Sequence, residues 1–249
     1  MRKRVRTFLN SFLPIMVFGS LVVADPSLLL FHSFDGPIDH LDYSLHPVRV
    51  VSTGFVSSTE VSFNGRAVLF PSGDTSLQLE FTPPADPSGW TLFVINVLVD
   101  KEAMTTLDRP FLDLFDQDGR RLLAINLSGD VTVFDGDGGV IGTLSCFDAL
   151  YWIGGEAIPL AITYEPDGAE GRAPRGRLTA YWSARPYGCL YVDLGERRPS
   201  RVSLGGGQGG VVADELAMFE GVLPYRTLYE VSRPPGKNVT AMRRLLEDA

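Results

Sequence analysis

The chain has 249 residues, of which 45% are apolar, enough for a sizeable core and too many for a wholly disordered chain. Its 30 Asp and Glu residues outnumber 22 Lys and Arg, and four of those positive charges fall within Arg2–Arg6. Because so acidic a body repels phosphate backbones, nucleic-acid binding is excluded. The length allows one or two domains, and a single β-sandwich of about 200–250 residues is an equally ordinary case.

Residues 1–24 have the pattern of a secretory signal peptide. A basic segment, Arg2–Arg6, precedes the apolar stretch Phe8–Val23, and small residues at Val22 and Ala24 favour cleavage after Ala24. The alternative is an uncleaved anchor, but the apolar run from Phe12 to Ala24 is shorter than the ~20 residues that cross a bilayer. We therefore expect an exported protein, secreted or periplasmic, with no membrane span after cleavage.

Short runs of alternating apolar residues follow from residue 28 onward, separated by turn-forming residues, which is typical of antiparallel strands. The predicted strands are Leu28–Phe34, Arg49–Ser52, Glu60–Phe63, Arg66–Phe70, Ser76–Phe81, Trp90–Val99, Phe111–Phe115, Arg120–Asn126, Asp130–Phe134, Val140–Leu144, Ala157–Tyr164, Gly176–Ser183, Cys189–Leu194, Arg201–Leu204 and Val211–Phe219. The nearly continuous apolar content of Trp90–Val99 predicts a central strand covered on both faces. This spacing predicts an all-β fold, a two-layer antiparallel β-sandwich over residues 25–233.

Turn and helix signals complete the pattern. Asp116–Gly119 and Asp135–Gly139 predict tight hairpin turns, and neither has the Glu at the twelfth position that a calcium-binding loop requires. Pro224–Val231 has a helical apolar period and begins with proline, so it predicts a short C-terminal helix. Residues 234–249 are expected to form a tail or a short appended helix.

The two cysteines, Cys146 and Cys189, enclose 42 residues. In an exported chain this arrangement favours a disulfide, which would stabilise the fold by roughly 3–4 kcal/mol. The alternative is a pair of buried thiols that behave as small hydrophobic side chains.

Four segments resemble strands of one superfamily. Phe31–Gly36 with Asp39 is similar to its opening strand and acidic loop, and Phe63–Phe70 to its next strand. Pro159–Tyr164, Asp167–Gly168 and Arg177–Ser183 resemble its paired strands, and Ser203–Leu223 resembles its glycine-rich turn and closing strand. The chain thus resembles the laminin-G and concanavalin-A-like lectin/glucanase jelly rolls in their bacterial exported form. It departs from them where Trp182–Arg185 replaces the usual turn.

The resemblance implies a calcium site on the rim of the sandwich. In this superfamily the closing strand lies beside the first strand, so Asp214 would approach Asp35 and Asp39 of the first loop. Hard cations prefer such carboxylate oxygens. The alternative is that Asp35 and Asp214 cap turns and accept backbone N–H groups.

Catalytic signals are weak. The spacing Glu165–Glu170 matches a carboxylate pattern of related glycosidases, but Pro166 and the following Asp-Gly place it in a predicted turn. His32, His40 and His46 lie close together in the sequence without a nucleophile elbow. We therefore expect no catalytic residues, although a divergent polysaccharide-degrading enzyme remains the alternative.

Aromatic residues give the candidate ligand site. Strand alternation and the resemblance place Leu178, Ala180 and Trp182 in the core and Tyr181 on the outer face. Tyr181, Tyr187 and Tyr43, the latter two expected in or near loops, are the candidate ligand-binding side chains. The predicted function is binding of a glycan or of a cell-envelope protein surface by an exported, non-catalytic domain.

Overall fold

The computed structural model describes residues 26–54, 57–59, 66–86, 89–98, 109–126, 128–145, 157–167, 175–183, 185–205 and 211–233. Within them lie sixteen β-strands and one α-helix. The strands are β1 (Ser27–His32), β2 (Tyr43–Ser44), β3 (Val48–Thr53), β4 (Ser57–Thr59), β5 (Ala67–Phe70), β6 (Ser76–Phe81), β7 (Trp90–Leu98), β8 (Pro110–Asp116), β9 (Arg121–Asn126), β10 (Asp130–Phe134), β11 (Val140–Ser145), β12 (Ala157–Pro166), β13 (Arg175–Trp182), β14 (Arg185–Asp193), β15 (Pro199–Gly205) and β16 (Val211–Glu220), and the helix is α1 (Tyr225–Val231).

The strands form two antiparallel sheets that pack as a sandwich, as the sequence predicts. One sheet has nine strands in the order β14-β13-β12-β7-β16-β1-β2, with β5 also paired to β16 and β4 paired to β5. The other has seven strands in the order β11-β10-β9-β8-β15-β6-β3. The predicted strands Ser76–Phe81 and Asp130–Phe134 have the observed bounds, whereas Glu60–Phe63 lies outside the described residues.

The first and last strands of the sandwich lie side by side. β1 pairs with β16 from Ser27 opposite Glu220 to His32 opposite Leu216. The expectation that the closing strand lies beside the opening strand is therefore confirmed. This pairing places the loop after β1 close to the middle of β16.

The main core lies between the two sheets and contains the largest buried side chains, among them Trp90, Trp182 and Phe34. From Trp90 to Ile95 every residue of β7 is buried, because both neighbouring strands and both faces are covered. The prediction of a central strand there is confirmed. Leu178, Ala180 and Trp182 of β13 also face this core, as expected.

Both predicted hairpin turns are present. Asp116 Oδ1 accepts the N–H groups of Asp118 and Arg120, and Asp135 Oδ1 accepts those of Asp137 and Gly139. These carboxylates are therefore used within their own turns. Asx turns of this kind let a short acidic segment reverse the chain.

Helix α1 follows β16 after a short turn. Pro224 is the residue before the first helical residue rather than the first itself, a difference of one position. Thr91 of β7 fixes this turn, because its hydroxyl donates to Gly221 O at 3.0 Å and accepts the N–H of Leu223 at 2.9 Å. Among the described residues, no helix has the length and apolar character needed to span a bilayer.

Candidate functional site

The outer face of the nine-stranded sheet carries a row of aromatic and small side chains that crosses six strands. Cross-strand pairing places one residue of each strand in this aromatic row: Tyr43, Phe31, Ala217, Phe93, Ala161 and Tyr181. Its four central members are buried in a second apolar cluster, which Leu223, Leu228 and Val231 at and near α1 cover. Only the two tyrosines at its ends are partly exposed.

Tyr43 and Tyr181 cannot contact one small ligand together. Five strand-to-strand steps separate β2 from β13, which at about 4.8 Å each amounts to roughly 24 Å. Helix α1 packs on the cluster between them. The structure therefore does not bring Tyr43 to the other two candidate ligand residues.

Tyr181 and Tyr187, in contrast, are neighbours at the free edge of the sheet. A β-bulge in β14 lies here, since Ala180 pairs with Gly188 while Tyr181 pairs with Pro186, which leaves Tyr187 as the extra residue. Tyr187 is 44% exposed. It was expected in or near a loop, but it lies inside β14, which begins at Arg185 rather than at Cys189.

A third tyrosine, Tyr191, lies on the same strand and is 69% exposed. Four residues along an extended strand separate it from Tyr187, a distance of roughly 13 Å. We call Tyr181, Tyr187 and Tyr191 the tyrosine patch. The patch is open at the sheet edge, away from the part of the face that α1 covers.

An ion pair borders the tyrosine patch. Arg177 of β13 lies opposite Tyr191 on one side and opposite Glu165 of β12 on the other. Its Nη2 donates to Glu165 Oε2 at 2.6 Å, and both side chains are about half exposed. The hydrogen bond to Glu165 is the main cause of a raised pKa for Arg177, and the Tyr191 and Tyr181 side chains contribute further.

These groups supply the chemistry that sugar recognition uses. Flat tyrosine rings can stack on the apolar faces of pyranose rings, while the guanidinium donates to and the carboxylate accepts from sugar hydroxyls. Sequence reasoning missed Arg177 and Glu165, because their pairing depends on the register of β12 against β13. The spacing of Tyr187, Cys189 and Tyr191 by two residues, which places them on one face of an extended strand, is the sequence signal that could have shown the patch.

The three carboxylates of the calcium hypothesis occupy two environments. Asp35 and Asp39 are exposed in the loop after β1, and Asp35 Oδ1 accepts the N–H of Arg66 at 2.6 Å. Asp214 is fully buried in β16, and the buried Glu215 follows it in a bulge with φ of +48°. The described residues contain no group of three or more His, Cys, Asp or Glu side chains arranged to hold a metal ion. Calcium binding stays a prediction.

The described residues test the catalytic hypothesis only in part. Glu165 lies within β12, which extends to Pro166, so the expectation that it belongs to a turn was wrong; the cross-strand bond with Arg177 keeps it in the ladder. Glu170 lies outside the described residues. His32 is fully buried in β1, where its ring stacks on Phe34 with centroids 4.1 Å apart.

The disulfide hypothesis involves one described residue. Cys189 is exposed on the outer face of β14, opposite Thr179. Cys146 lies outside the described residues, as do the signal segment 1–24 and the tail 234–249. The disulfide therefore stays a prediction.

The fold is similar to those of toxin binding domains. The receptor binding domain of botulinum neurotoxin mosaic serotype C/D matches with a TM-score of 0.61 at 13% identity, covering 83% of this chain and 50% of that one. The binding domain of Paraclostridial Mosquitocidal Protein 1 matches with a TM-score of 0.60 at 11% identity, covering 83% and 52%. The binding domain of botulinum neurotoxin DC in complex with SialylT matches with a TM-score of 0.58 at 11% identity, covering 83% and 50%.

These likenesses show the β-sandwich fold, and the chain spans about half the length of each of these domains. No protein-family model and no curated protein matches the sequence.

Proposed function

We propose that this protein is an exported, non-catalytic carbohydrate-binding domain of the lectin-like jelly-roll type, and that its tyrosine patch binds a glycan. The observation that carries the proposal is the presence of three partly or largely exposed tyrosines beside the Arg177–Glu165 ion pair on one open sheet face. Exposed aromatic side chains grouped in this way are typical of binding surfaces.

The spacing of the patch favours an extended saccharide. Tyr181 and Tyr187 lie at the bulge, and Tyr191 with Arg177 lies roughly 13 Å along β14. A ligand that contacts both is longer than a single pyranose ring. We therefore infer an oligosaccharide or polysaccharide chain that lies along β14.

Two further considerations support the proposal. The structure of one protein of the same fold, the binding domain of botulinum neurotoxin DC, was solved in complex with SialylT. The basic and apolar pattern of residues 1–24 is typical of an export signal, which would bring the domain into contact with extracellular or envelope glycans.

A glycan array followed by polysaccharide pull-down tests the proposal. We expect retention on at least one glycan, and about tenfold weaker binding for Tyr187→Ala and for Tyr191→Ala, equivalent to about 1.4 kcal/mol each. Tyr225→Ala and Tyr229→Ala are matched controls, because these tyrosines of α1 are 56% and 54% exposed but lie outside the patch. Their binding should be unchanged.

Two results would count against the proposal. If no glycan is retained while cross-linking in intact cells gives a single dominant protein adduct, the domain is an envelope interaction module instead. If all four tyrosine variants weaken glycan binding equally, the tyrosine patch is not the site.

A further inference from the structure

The outer face of the seven-stranded sheet carries a second ordered row, and this row is charged. Cross-strand pairing aligns one residue from each of β3, β6, β15, β8 and β9 in this arginine row: Arg49, Glu80, Arg201, Phe115 and Arg121. The neighbouring row of the same face is mostly polar and comprises Val51, Gln78, Ser203, Asp113, Ala124, Thr132 and Thr143.

Each carboxylate in these two rows already has an arginine partner. Glu80 Oε2 lies 3.8 Å from Arg49 Nη1, and Asp113 Oδ1 lies 3.0 Å from Arg121 Nε. Burial raises the pKa of Asp113, and the positive charges of Arg121 and Arg201 oppose this rise. The pairing leaves the central arginine without a salt bridge among the described residues.

Arg201 is instead held by an aromatic ring. Its Cζ lies 4.1 Å from the centroid of the Phe115 ring, a cation–π contact that stabilises the guanidinium at this position. Its Nε is enclosed and has no hydrogen-bond partner among the described residues, so the terminal nitrogens are the donors that can reach a ligand. Glu80 lies opposite Arg201 in the ladder and the charge of Arg201 acts on Asp113, but this partly exposed guanidinium forms no salt bridge within the described residues. Its terminal nitrogens can therefore donate to an external anion.

The local charge selects the sign of that ligand. Three arginines against two carboxylates give the two rows an excess of one positive charge, although the whole chain has a net charge of −8. The acidic remainder of the surface repels anions. An anionic ligand is therefore attracted to the positive group at the centre of this face rather than to the rest of the protein. Guanidinium matches a planar carboxylate through two parallel hydrogen bonds.

We propose that this face is a second ligand site, which binds carboxylate-bearing saccharides with Arg201 as the group that holds the carboxylate. Gln78 in the neighbouring row, which is partly exposed, supplies an amide group for the sugar hydroxyls. The site is separate from the tyrosine patch, since it lies on the other sheet and on the opposite outer face of the sandwich.

Calorimetric titration with polygalacturonate, dextran sulfate and neutral dextran tests this inference. We expect the protein to bind polygalacturonate more tightly than dextran, with an affinity that decreases as salt increases. Arg201→Gln should weaken that binding by about tenfold to about a hundredfold, the range for a lost charged hydrogen bond. Arg226→Gln is the matched control, because Arg226 is an exposed arginine of α1 and should leave binding unchanged.

Arg49→Gln gives a second test. The Arg49 side chain is 76% exposed, so this substitution should not affect folding. We expect a smaller reduction in polygalacturonate affinity, about twofold to threefold. Tyr191→Ala should leave this affinity unchanged, so a failure here and a failure of the tyrosine patch can be distinguished.

Three outcomes would overturn the inference. If polygalacturonate does not bind, the proposed site does not exist. If dextran sulfate binds more tightly than polygalacturonate, the site recognises sulfate groups rather than carboxylates. Equal affinity of wild type and Arg201→Gln, with unchanged circular dichroism, shows that Arg201 does not hold the carboxylate.

Discussion

Arg197 Nε donates a hydrogen bond of 2.7 Å to Oδ2 of Asp116, an ion pair between a mostly buried guanidinium and a fully buried carboxylate. The same guanidinium donates to the carbonyl oxygens of Phe134 and Arg121 at 2.6 and 2.8 Å. Asp116 in turn accepts the N–H groups of its own turn. One side chain thus joins the β8–β9 turn, the end of β10 and the segment before β15.

Removing this arginine should be costly. Arg197→Ala leaves a buried carboxylate without its charged partner, and we expect the free energy of unfolding to fall by about 3–5 kcal/mol. Urea denaturation followed by circular dichroism measures the change. Arg226→Ala, which breaks only an exposed pair with Glu230 on α1, should cost less than about 0.5 kcal/mol. A similar decrease in the free energy of unfolding in both variants would show that the buried contacts of Arg197 stabilise the fold no more than an exposed ion pair does.

The contact between a glycine and an aromatic ring is the second stabilising feature. A Cβ added at Gly176 of β13 would overlap ring atoms of Tyr164 on β12. That ring also stacks on Trp90, with centroids 5.8 Å apart. Gly176→Ala should therefore displace Tyr164, lower the free energy of unfolding by about 1–3 kcal/mol and change the tryptophan fluorescence.

The control for this variant is Gly36→Ala, because a Cβ at Gly36 meets nothing within 4 Å. Its stability should be close to that of the wild type. An unchanged fluorescence spectrum in Gly176→Ala would mean that Tyr164 and Trp90 adjust without losing their contact.

Most strands were predictable from the sequence, because alternation of apolar residues is a local property. The short strands β2 and β4 were not predicted, and β14 was predicted to begin at Cys189 rather than at Arg185. In the structure Pro186 and Tyr187 belong to a bulge, and a Cβ at Gly188 would meet Leu144 of β11 at 3.3 Å. The glycine allows two sheet edges to approach closely, and no local pattern shows that.

The two candidate binding faces were beyond sequence reasoning for a related reason. The alignment of Arg201 with Phe115 joins positions that are far apart in the chain, and it depends on the order and register of strands. Tyr181 was placed correctly on the outer face because its position follows from alternation within one strand. The pairing of Arg177 with Glu165 could not be predicted in this way, because it depends on the register between β13 and β12.

The predicted disulfide can be tested by thiol chemistry. Cys189 is exposed, so a free thiol there would react at once with Ellman's reagent in the folded protein. We expect no reaction before reduction, and a loss of roughly 3–4 kcal/mol in the free energy of unfolding after it. Rapid labelling of Cys189 in the unreduced, exported protein would exclude the disulfide.

Calcium binding is tested by thermal denaturation. If Asp35, Asp39 and Asp214 hold Ca²⁺, EDTA should lower the melting temperature and excess Ca²⁺ restore it, with about 2.7 kcal/mol of stabilisation at 100 times Kd. Asp35 also accepts the N–H of Arg66, so Asp35→Ala should destabilise the fold even in EDTA. If the melting temperature does not respond to Ca²⁺, the calcium hypothesis is wrong, and the role of Asp35 is its hydrogen bond to the N–H of Arg66.

His32 predicts a specific pH dependence. Its Nδ1 accepts the N–H of Phe34 at 3.1 Å, which leaves Nε2–H to donate to Ile38 O at 2.9 Å. Protonation of Nδ1 would break the first of these bonds. Burial is the main cause of the lowered pKa of His32. The hydrogen bond to Ile38 and the negative charge of Asp42, whose Oδ2 lies 3.9 Å from His32 Nδ1, raise the pKa and partly oppose this effect. The charge of His40 lowers the pKa further.

Because the folded protein favours the neutral ring, the stabilisation is complete above the ordinary histidine pKa of 6.5 and decreases as the pH falls below it. We expect the free energy of unfolding to decrease between about pH 7 and about pH 5, and this part of the decrease to vanish in His32→Gln. His46→Gln is the control and should keep the wild-type pH dependence. The same slope in wild type and His32→Gln would show that this ring does not titrate with unfolding, and that the loop after β1 is held by its other contacts.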